Sequence, residues 1–272
     1  LMVSPEWPAD YPSKPKPAAE LDRVLALLPT YAANAPGEAL LRRGVMTLYR
    51  DANAVLRDRQ KAFQMVYAPL LAAIPDSATP RYLAAQFNDD WAWDARGGGA
   101  ALTVTTEGWK LFGERMKVAA KQAQEGWALD PLDENFAILM IDVAMTNSDD
   151  GAMEQWFSRA MLANPDSYAA CKAKAFALSP QWHGNAVDAL AFGAQCLAKG
   201  TARNRIPLVL VDVIHNLVIF IDPSKRGDPG LWKDIHDAYE KRLADKSRLV
   251  DDKAQYLADR SDYLTFAYNW GQ

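Results

Sequence analysis

The sequence predicts an all-α protein built as a stack of antiparallel helical hairpins, an α-solenoid. Two matching segments carry this prediction, because Ala128-Leu129-Asp130-Pro131 returns 34 residues later as Leu162-Ala163-Asn164-Pro165. Each proline follows a run in which apolar residues recur at three- and four-residue steps, the spacing of one helix face. No alternating strand pattern competes, since the only β-favouring run is Thr103 to Thr106. The chain therefore repeats a helical unit that must stack, because one hairpin cannot bury its own apolar face.

The first four helices follow from apolar stripes bounded by proline and glycine. One begins at Pro17 and is predicted to end at Pro29, and a second runs from Gly37 to about Arg50. A third contains Pro69, which predicts a kink or an early end. The fourth is predicted as a short helix from Arg81 to Trp91.

The repeated unit comes next. Thr105 or Thr106 is expected to cap its first helix, with Glu107 in the first turn. Two apolar stripes then end at the two prolines of the repeat, as expected for residues that cannot continue a helix. The stripes consist of Trp109, Phe112, Met116, Ala119, Ala123 and Trp127, and of Met153, Trp156, Phe157, Ala160 and Met161.

This pattern resembles the tetratricopeptide family, whose second helix carries a small residue, a large one, another small one and a closing proline. Phe157, Ala160 and Pro165 match, with Met153 at the first small position. In the earlier copy the matches are Ala119, Gly126 and Pro131, with Ala123 in place of the large residue; the first-helix signature is not recognisable in either copy. A third hairpin is expected from Tyr168 to Lys199. The resemblance implies ten to twelve helices in a right-handed stack, with the clearest repeats over residues 107–199.

A second resemblance involves two short aromatic segments, Trp93 to Gly97 and Trp182 to Gly184, placed around the proline-ended hairpins. This arrangement resembles an uncharacterised bacterial family of tetratricopeptide-like proteins. The resemblance covers roughly Tyr82 to Asp212, and it implies helices without a known activity.

Composition limits the possible functions. The chain has 272 residues, of which 50% are hydrophobic and 24% charged, with a net charge of −4. These values fit one globular domain, predicted over residues 18–272. No basic stripe is present, which argues against nucleic-acid binding and against an anionic membrane surface as partners. Either a cytoplasmic location or export with a signal peptide absent from this sequence is compatible with the chain.

The most hydrophobic stretch is Ile206 to Ile221, and its 16 residues are too few for a bilayer span. Asp212, His215 and Asn216 would also lie near its centre, where polar groups must be paired. The stretch is therefore predicted to form a buried central helix.

Two cysteines and three histidines argue against a metal or cofactor site. Cys171 and Cys196 are too few for a disulfide framework or a four-cysteine zinc site. They could form one bridge, although two buried free thiols are favoured. No two of His183, His215 and His236 share metal-ligand spacing, and no nucleophile motif accompanies them. We expect no metal, no cofactor and no catalytic residues.

Both ends of the chain are rich in aromatic residues. Residues 1–17 form a proline-rich arm with Trp7 and Tyr11 between the prolines. The arm is expected either to pack on its own helices or to clasp a neighbouring subunit. Two further helices, from Trp232 to Leu243 and from Val250 to Tyr268, complete the chain. Aromatic residues near the C-terminus either fold back onto the body or contact a partner: Tyr263, Phe266, Tyr268 and Trp270.

A small-molecule site, if present, is expected at the loop around Gly97-Gly98-Gly99. Trp93, Asp94 and Arg96 precede the three glycines, and Asp94 and Arg96 are predicted to brace the loop by charge-assisted hydrogen bonds. The Lys and Ser or Thr of a phosphate-binding P-loop do not follow. A second candidate is the turn formed by Trp182 and His183.

Stacked hairpins produce a curved surface suited to a peptide or protein. The leading functional hypothesis is therefore a non-enzymatic interaction or scaffold protein. One alternative is a structural subunit held by the arm and the C-terminal aromatics. Another is a small-ligand binder or hydrolase that uses the 93–99 loop and the 182–184 turn. An enzyme requires its polar groups to converge within hydrogen-bond reach around one cleft, which separates these hypotheses.

Overall fold

The computed structural model describes residues 17–182 and 184–271, and this part of the chain is all-α. It contains thirteen α-helices and no strand. The helices are α1 (Pro17–Ala33), α2 (Glu38–Leu56), α3 (Arg59–Ala73), α4 (Ala78–Arg96), α5 (Thr106–Leu129), α6 (Glu134–Thr146), α7 (Asp150–Ala163), α8 (Tyr168–Ala177), α9 (Ala186–Lys199), α10 (Val209–Asn216), α11 (Pro229–Leu243), α12 (Arg248–Asp251) and α13 (Lys253–Asn269). The arm predicted over residues 1–17, with Trp7 and Tyr11, lies outside the described residues apart from Pro17.

The helix end predicted at Pro29 is wrong, and of the two alternatives predicted at Pro69, a kink or an early end, the early end is wrong. Helix α1 continues past Pro29 to Ala33, and α3 continues past Pro69 to Ala73. Each proline removes one backbone hydrogen bond. Burial continues along both helices, because Ala32 and Leu70 lie in the apolar core. Tertiary packing therefore outweighs the local cost of each proline.

Capping residues explain where the helices of the repeat begin. The Thr105 side chain accepts a hydrogen bond from the Gly108 amide at 3.0 Å, which confirms the predicted cap of α5. Ser167 caps α8 in the same way by accepting from the Ala170 amide at 3.0 Å. Helix α4 is longer than predicted because Ser77 caps it upstream of Arg81.

Successive helices pack in a regular order through the middle of the chain. Helix α4 packs against α5, α6 against α7, and α8 against α9. Helices α4, α6, α8 and α10 also contact one another in sequence, and each of α6, α8 and α10 contacts the helix before it. Gly126 allows α5 to approach α6 closely, because a Cβ at this position would overlap the Phe136 ring. The small residue of the repeat thus has a packing role.

The predicted central helix over 206–221 is wrong as a single element. The segment consists of a 3₁₀ turn (Ile206–Leu208), α10, and a π-helix (Leu217–Ile221). The N-terminal part is buried, whereas the π-helix exposes side chains. The π-helix leaves Ile219, Phe220 and Ile221 exposed, whereas the prediction placed the whole stretch in the core. None of the helices in 17–182 and 184–271 is long and apolar enough to cross a bilayer.

Candidate functional site

The predicted glycine loop is held by one arginine at the end of α4. Gly97 follows α4 with a φ of 73°, a conformation that favours glycine. Arg96 Nη1 donates hydrogen bonds to the carbonyl oxygens of Gly97 at 3.0 Å and Gly99 at 3.1 Å. The guanidinium therefore binds the backbone of its own loop.

The same guanidinium lies against three tryptophan rings. Its Cζ atom is 5.7 Å from the ring centroid of Trp93, 5.4 Å from that of Trp109 and 5.5 Å from that of Trp182. Trp93 and Trp182 contact each other edge to face, with centroids 5.3 Å apart. The electron-rich faces of the tryptophan rings attract the guanidinium cation. The two aromatic segments that the sequence singled out are thus brought together around Arg96.

Asp94 points away from this cluster, so the predicted bracing of the loop by Asp94 and Arg96 together is wrong. Asp94 Oδ2 lies 3.1 Å from Arg59 Nε, and Asp90 Oδ2 lies 3.1 Å from Arg59 Nη1. The cause is helical geometry, because Asp90 and Asp94 are four residues apart on one face of α4. His183 lies outside the described residues. The predicted ligand site is therefore reduced to Trp93, Arg96 and Trp182.

A pair of carboxyl groups in the core was not anticipated. Asp89 on α4 and Asp142 on α6 lie where these two helices meet, beside residues of one apolar cluster. Burial, followed by repulsion from Asp142 and Asp90, raises the pKa of Asp89 to about 8, while a hydrogen bond from Trp93 opposes the shift. Burial raises the pKa of Asp142 to about 7. A charged residue inside an apolar run, as in Ile141-Asp142-Val143, was the available signal.

A groove lined by apolar and polar groups lies on α10 and the π-helix. Two adjacent cavities of about 280 and 200 Å³ share His215, and we call them together the α10 groove. Its lining residues come from α8, α10, the π-helix, the following loop and α13: Lys172, Ala175, Phe176, Asp212, Val213, His215, Asn216, Val218, Ile219, Arg226, Thr265, Phe266, Asn269 and Trp270. Beside it the π-helix exposes Ile219 by 39%, Phe220 by 64% and Ile221 by 36%.

One end of the groove is electrostatically balanced. The Tyr168 hydroxyl donates to Asp212 Oδ2 at 2.5 Å, and Lys172 Nζ lies 3.8 Å from Asp212 Oδ1. Burial raises the pKa of Asp212, whereas the hydrogen bond from Tyr168 and the charge of Lys172 lower it. This carboxylate is paired, as the sequence required of a polar group near the core.

The other end carries unbalanced positive charge. Arg226 is exposed, and its side chain makes no ion pair or hydrogen bond within the described part of the chain. The His215 ring contacts Phe266 edge to face, with centroids 5.6 Å apart. This end therefore presents a cation next to an aromatic and aliphatic surface.

The C-terminal aromatics that were predicted to fold back or to contact a partner lie on the body of the domain. Tyr263 stacks on Tyr239 with centroids 5.0 Å apart, and Trp270 is buried against Trp232. Phe266 and Trp270 nevertheless line the α10 groove. Phe266 and Trp270 thus form part of one wall of the groove, whereas Tyr268 remains exposed.

A third cavity of about 490 Å³ lies between α7, α8 and α9. Cys171 and Cys196 both line it, and both are buried free thiols, which agrees with the favoured alternative. Hydrogen bonding from Cys196 lowers the pKa of the Cys171 thiol, and the ammonium of Lys174 contributes. The same hydrogen bond, followed by burial, raises the pKa of Cys196.

Comparison with known proteins does not extend these observations. No family model, no curated protein and no solved structure matches the chain.

Proposed function

We propose that the protein is a non-enzymatic interaction module that binds a peptide segment of a protein partner in the α10 groove. The observation that carries the proposal is the exposed π-helix, which presents three consecutive apolar side chains beside Arg226. π-helical turns are frequent at functional sites. Exposed apolar surface next to polar groups is typical of binding grooves.

The order of helix contacts supports a tetratricopeptide-like stack as the scaffold. Helices α4, α6, α8 and α10 occupy equivalent places, each contacting the next of the series. In such a stack, equivalent helices line a continuous surface. The α10 groove uses α8 and α10 from this series and adds α13 as a wall.

The chemistry of the groove defines its partner. Arg226 has no anionic partner among the described residues, so a carboxylate on the ligand would supply one. Ile219 and Phe266 offer contact area to an aliphatic or aromatic side chain. We therefore infer that the partner segment combines an apolar residue with an Asp, a Glu or a terminal carboxylate.

A random-peptide display library screened on the purified protein tests this proposal. We expect enrichment of peptides with an apolar residue next to an acidic one. Fluorescence anisotropy of an enriched peptide then compares Ile219→Ser and Arg226→Glu with two exposed controls, Leu162→Ser on α7 and Arg23→Glu on α1. Binding should weaken about tenfold or more in the first pair alone. No enriched motif, or equal binding by all four variants, would refute the proposal.

A structural subunit is the second candidate, favoured by an apolar surface directly after the arm. Helices α1 and α2 form a cavity of about 340 Å³ lined by apolar residues, including Leu27, which is 65% exposed. Light scattering on the full chain and on a version without residues 1–16 measures the oligomeric state of each. A monomer in both cases would exclude assembly, whereas a larger species that dissociates without the arm would support it.

The remaining alternative, a small-ligand binder or hydrolase, has less support. Arg96 hydrogen-bonds its own loop, and Asp94 is paired with Arg59. Of the cluster's polar atoms, Arg96 Nε and Trp182 Nε1 are buried without an acceptor among the described residues. Two buried N–H donors that face no acceptor among the described residues suit an anion more than a reaction.

A further inference from the structure

Three sulfur-containing side chains, one each from α7, α8 and α9, line the cavity between these helices. Cys171 Sγ lies 3.8 Å from Met161 Sδ, and Cys196 packs in the same apolar cluster as Cys171. All three residues line the cavity of about 490 Å³. All three side chains therefore line one cavity, and two of the sulfur atoms are in contact.

The observed separation suits a common metal ligand set. Thiolate sulfurs bind d¹⁰ ions at about 2.3 Å, so three sulfurs around one ion in a plane lie about 4 Å apart. The 3.8 Å between Cys171 Sγ and Met161 Sδ falls near this value.

The donor types identify the metal. Thiolate and thioether sulfur are soft ligands, and this combination selects copper(I). Zinc(II) in structural sites requires four ligands. Among the described residues, no cluster of three or more His, Cys, Asp and Glu side chains could complete a zinc site. Three soft donors without a fourth hard one favour the monovalent ion.

The charge around the sulfurs also favours a monovalent ion. Two thiolates and one copper(I) ion carry a net charge of −1. Lys174 lines the same cavity, with its Nζ 4.5 Å from the Phe157 centroid and 4.8 Å from the Phe192 centroid. Its ammonium is also 2.6 Å from Glu154 Oε1, which holds it in place. The ammonium lowers the pKa of both thiols, and its ion pair with Glu154 limits this effect.

We propose that Met161, Cys171 and Cys196 form a three-coordinate copper(I) site. As the two copper–thiolate bonds form, each thiol releases its proton to solvent, and the thioether binds without a proton change. No oxidation step is involved, because the ion arrives and remains as copper(I). The site is independent of the α10 groove, so the failure of one proposal leaves the other standing.

Competition with bicinchoninate under anaerobic conditions tests the site. The reduced protein is titrated into the purple copper(I)–bicinchoninate complex, and loss of colour measures transfer. We expect one copper(I) per chain. X-ray absorption at the copper edge should show about three sulfur neighbours at about 2.3 Å.

Substitutions distinguish the loss of a metal ligand from a general disturbance of the fold. Cys171→Ala and Cys196→Ala avoid burying a new hydroxyl and should each weaken copper(I) binding by at least about 100-fold. Met161→Leu conserves volume and should weaken it about tenfold. Met116→Leu, in the buried core of α5, is the matched control and should bind as the unmodified chain does.

Three results would overturn the proposal. The first is a stoichiometry well below one copper(I) in the unmodified chain. The second is nitrogen or oxygen ligation alone in the absorption spectrum. The third is unchanged binding in the double Cys171→Ala, Cys196→Ala variant, with helicity checked by circular dichroism. The first two measurements use the unmodified chain, so they hold even where a variant does not fold.

Discussion

Two regions of the molecule bury ionisable side chains, and they offset the cost of burying charge in opposite ways. In the region of α11 to α13, Asp259 is fully buried and lies 2.8 Å from Arg242 Nε and 2.9 Å from Arg248 Nη2. Between α4 and α6, Asp89 and Asp142 bring two acids together without a cation. The first region pairs its charges, and the second retains protons. The comparison shows that burial in this fold is compatible with ionisable groups only when charge is cancelled.

The paired cluster is also connected to the backbone. Arg242 Nη1 donates to the Ala202 carbonyl at 2.5 Å, and Arg248 Nη1 donates to the Arg242 carbonyl at 3.0 Å. Gln255 Nε2 donates to Asp259 Oδ1 at 2.9 Å. Burial lowers the pKa of Arg242, and the charge of Asp259 opposes this. The network therefore links the loop before α10 to α11, α12 and α13.

Removing the anion of the paired cluster should have the largest effect. Asp259→Asn leaves the buried Arg242 without a counter-charge and Arg248 with only its longer contact to Asp252 at 3.5 Å, and we expect a loss of about 3–5 kcal/mol in the free energy of unfolding. Urea denaturation followed by circular dichroism measures it. Asp251→Asn is the control, because Asp251 forms an exposed pair with Arg203 at 3.4 Å. Its expected cost is below about 1 kcal/mol. Similar costs for both variants would show that the buried network contributes no more than the surface pair.

For the acid pair we expect the opposite effect, because removing an ionisable carboxyl group should stabilise the protein. The native state keeps the Asp89 proton up to a pH of about 8, whereas the unfolded chain loses it above the ordinary aspartate pKa of 3.8. The native state therefore binds more protons between these limits, and stability falls as pH rises through this window. At pH 8, Asp89→Asn should be more stable than the unmodified chain by about 2–4 kcal/mol.

Chemical denaturation from pH 4 to pH 9 measures this effect. The stability curve of Asp89→Asn should be flatter between pH 4 and pH 8, and the two curves should converge towards pH 4. Asp22→Asn, an exposed change on α1, should run parallel to the unmodified chain. Equal slopes for Asp89→Asn and the unmodified chain would mean that Asp89 is charged and stabilised by a cation.

Arg96 represents a third arrangement, in which a cation is held by aromatic faces and carbonyl oxygens. Arg96→Lys keeps the charge but loses the planar group that bonds two loop carbonyls and covers the rings. We expect a loss of about 1–2 kcal/mol in thermal denaturation. Arg43→Lys, an exposed change on α2, should be neutral. If Arg96→Lys is neutral as well, the ring contacts contribute no net stability.

The helical composition of the fold could be predicted from the sequence because helix periodicity and caps are local signals. Thr105 and the two proline-ended stripes illustrate this. The helix end predicted at Pro29, and the early end offered as one alternative at Pro69, were wrong because the local sequence does not show the packing that outweighs a proline. The change from α-helix to π-helix after Asn216 could not be predicted either, because a continuous apolar run does not show which type of helix it forms.

The candidate sites divide along the same line. Trp93, Arg96 and Trp182 were identified from local composition, and the structure brings them together. The direction of Asp94 depended on Arg59, which lies 35 residues away. Met161, Cys171 and Cys196 have no motif spacing, since their convergence depends on how three helices pack. Asp89 and Asp142 were detectable only as charges within apolar runs.

Arg226 completes the comparison as an exposed charge without a partner, and its substitution should have the smallest effect on stability. Arg226→Glu breaks no contact within the described residues, so the free energy of unfolding should change by less than about 0.5 kcal/mol. Binding should respond much more, because the carboxylate would repel the acidic peptides that we propose as ligands. Urea denaturation and anisotropy on one preparation compare the two effects. A variant that loses stability and binding together would mean that Arg226 supports the groove structurally, whereas lost binding at unchanged stability would assign its charge to recognition.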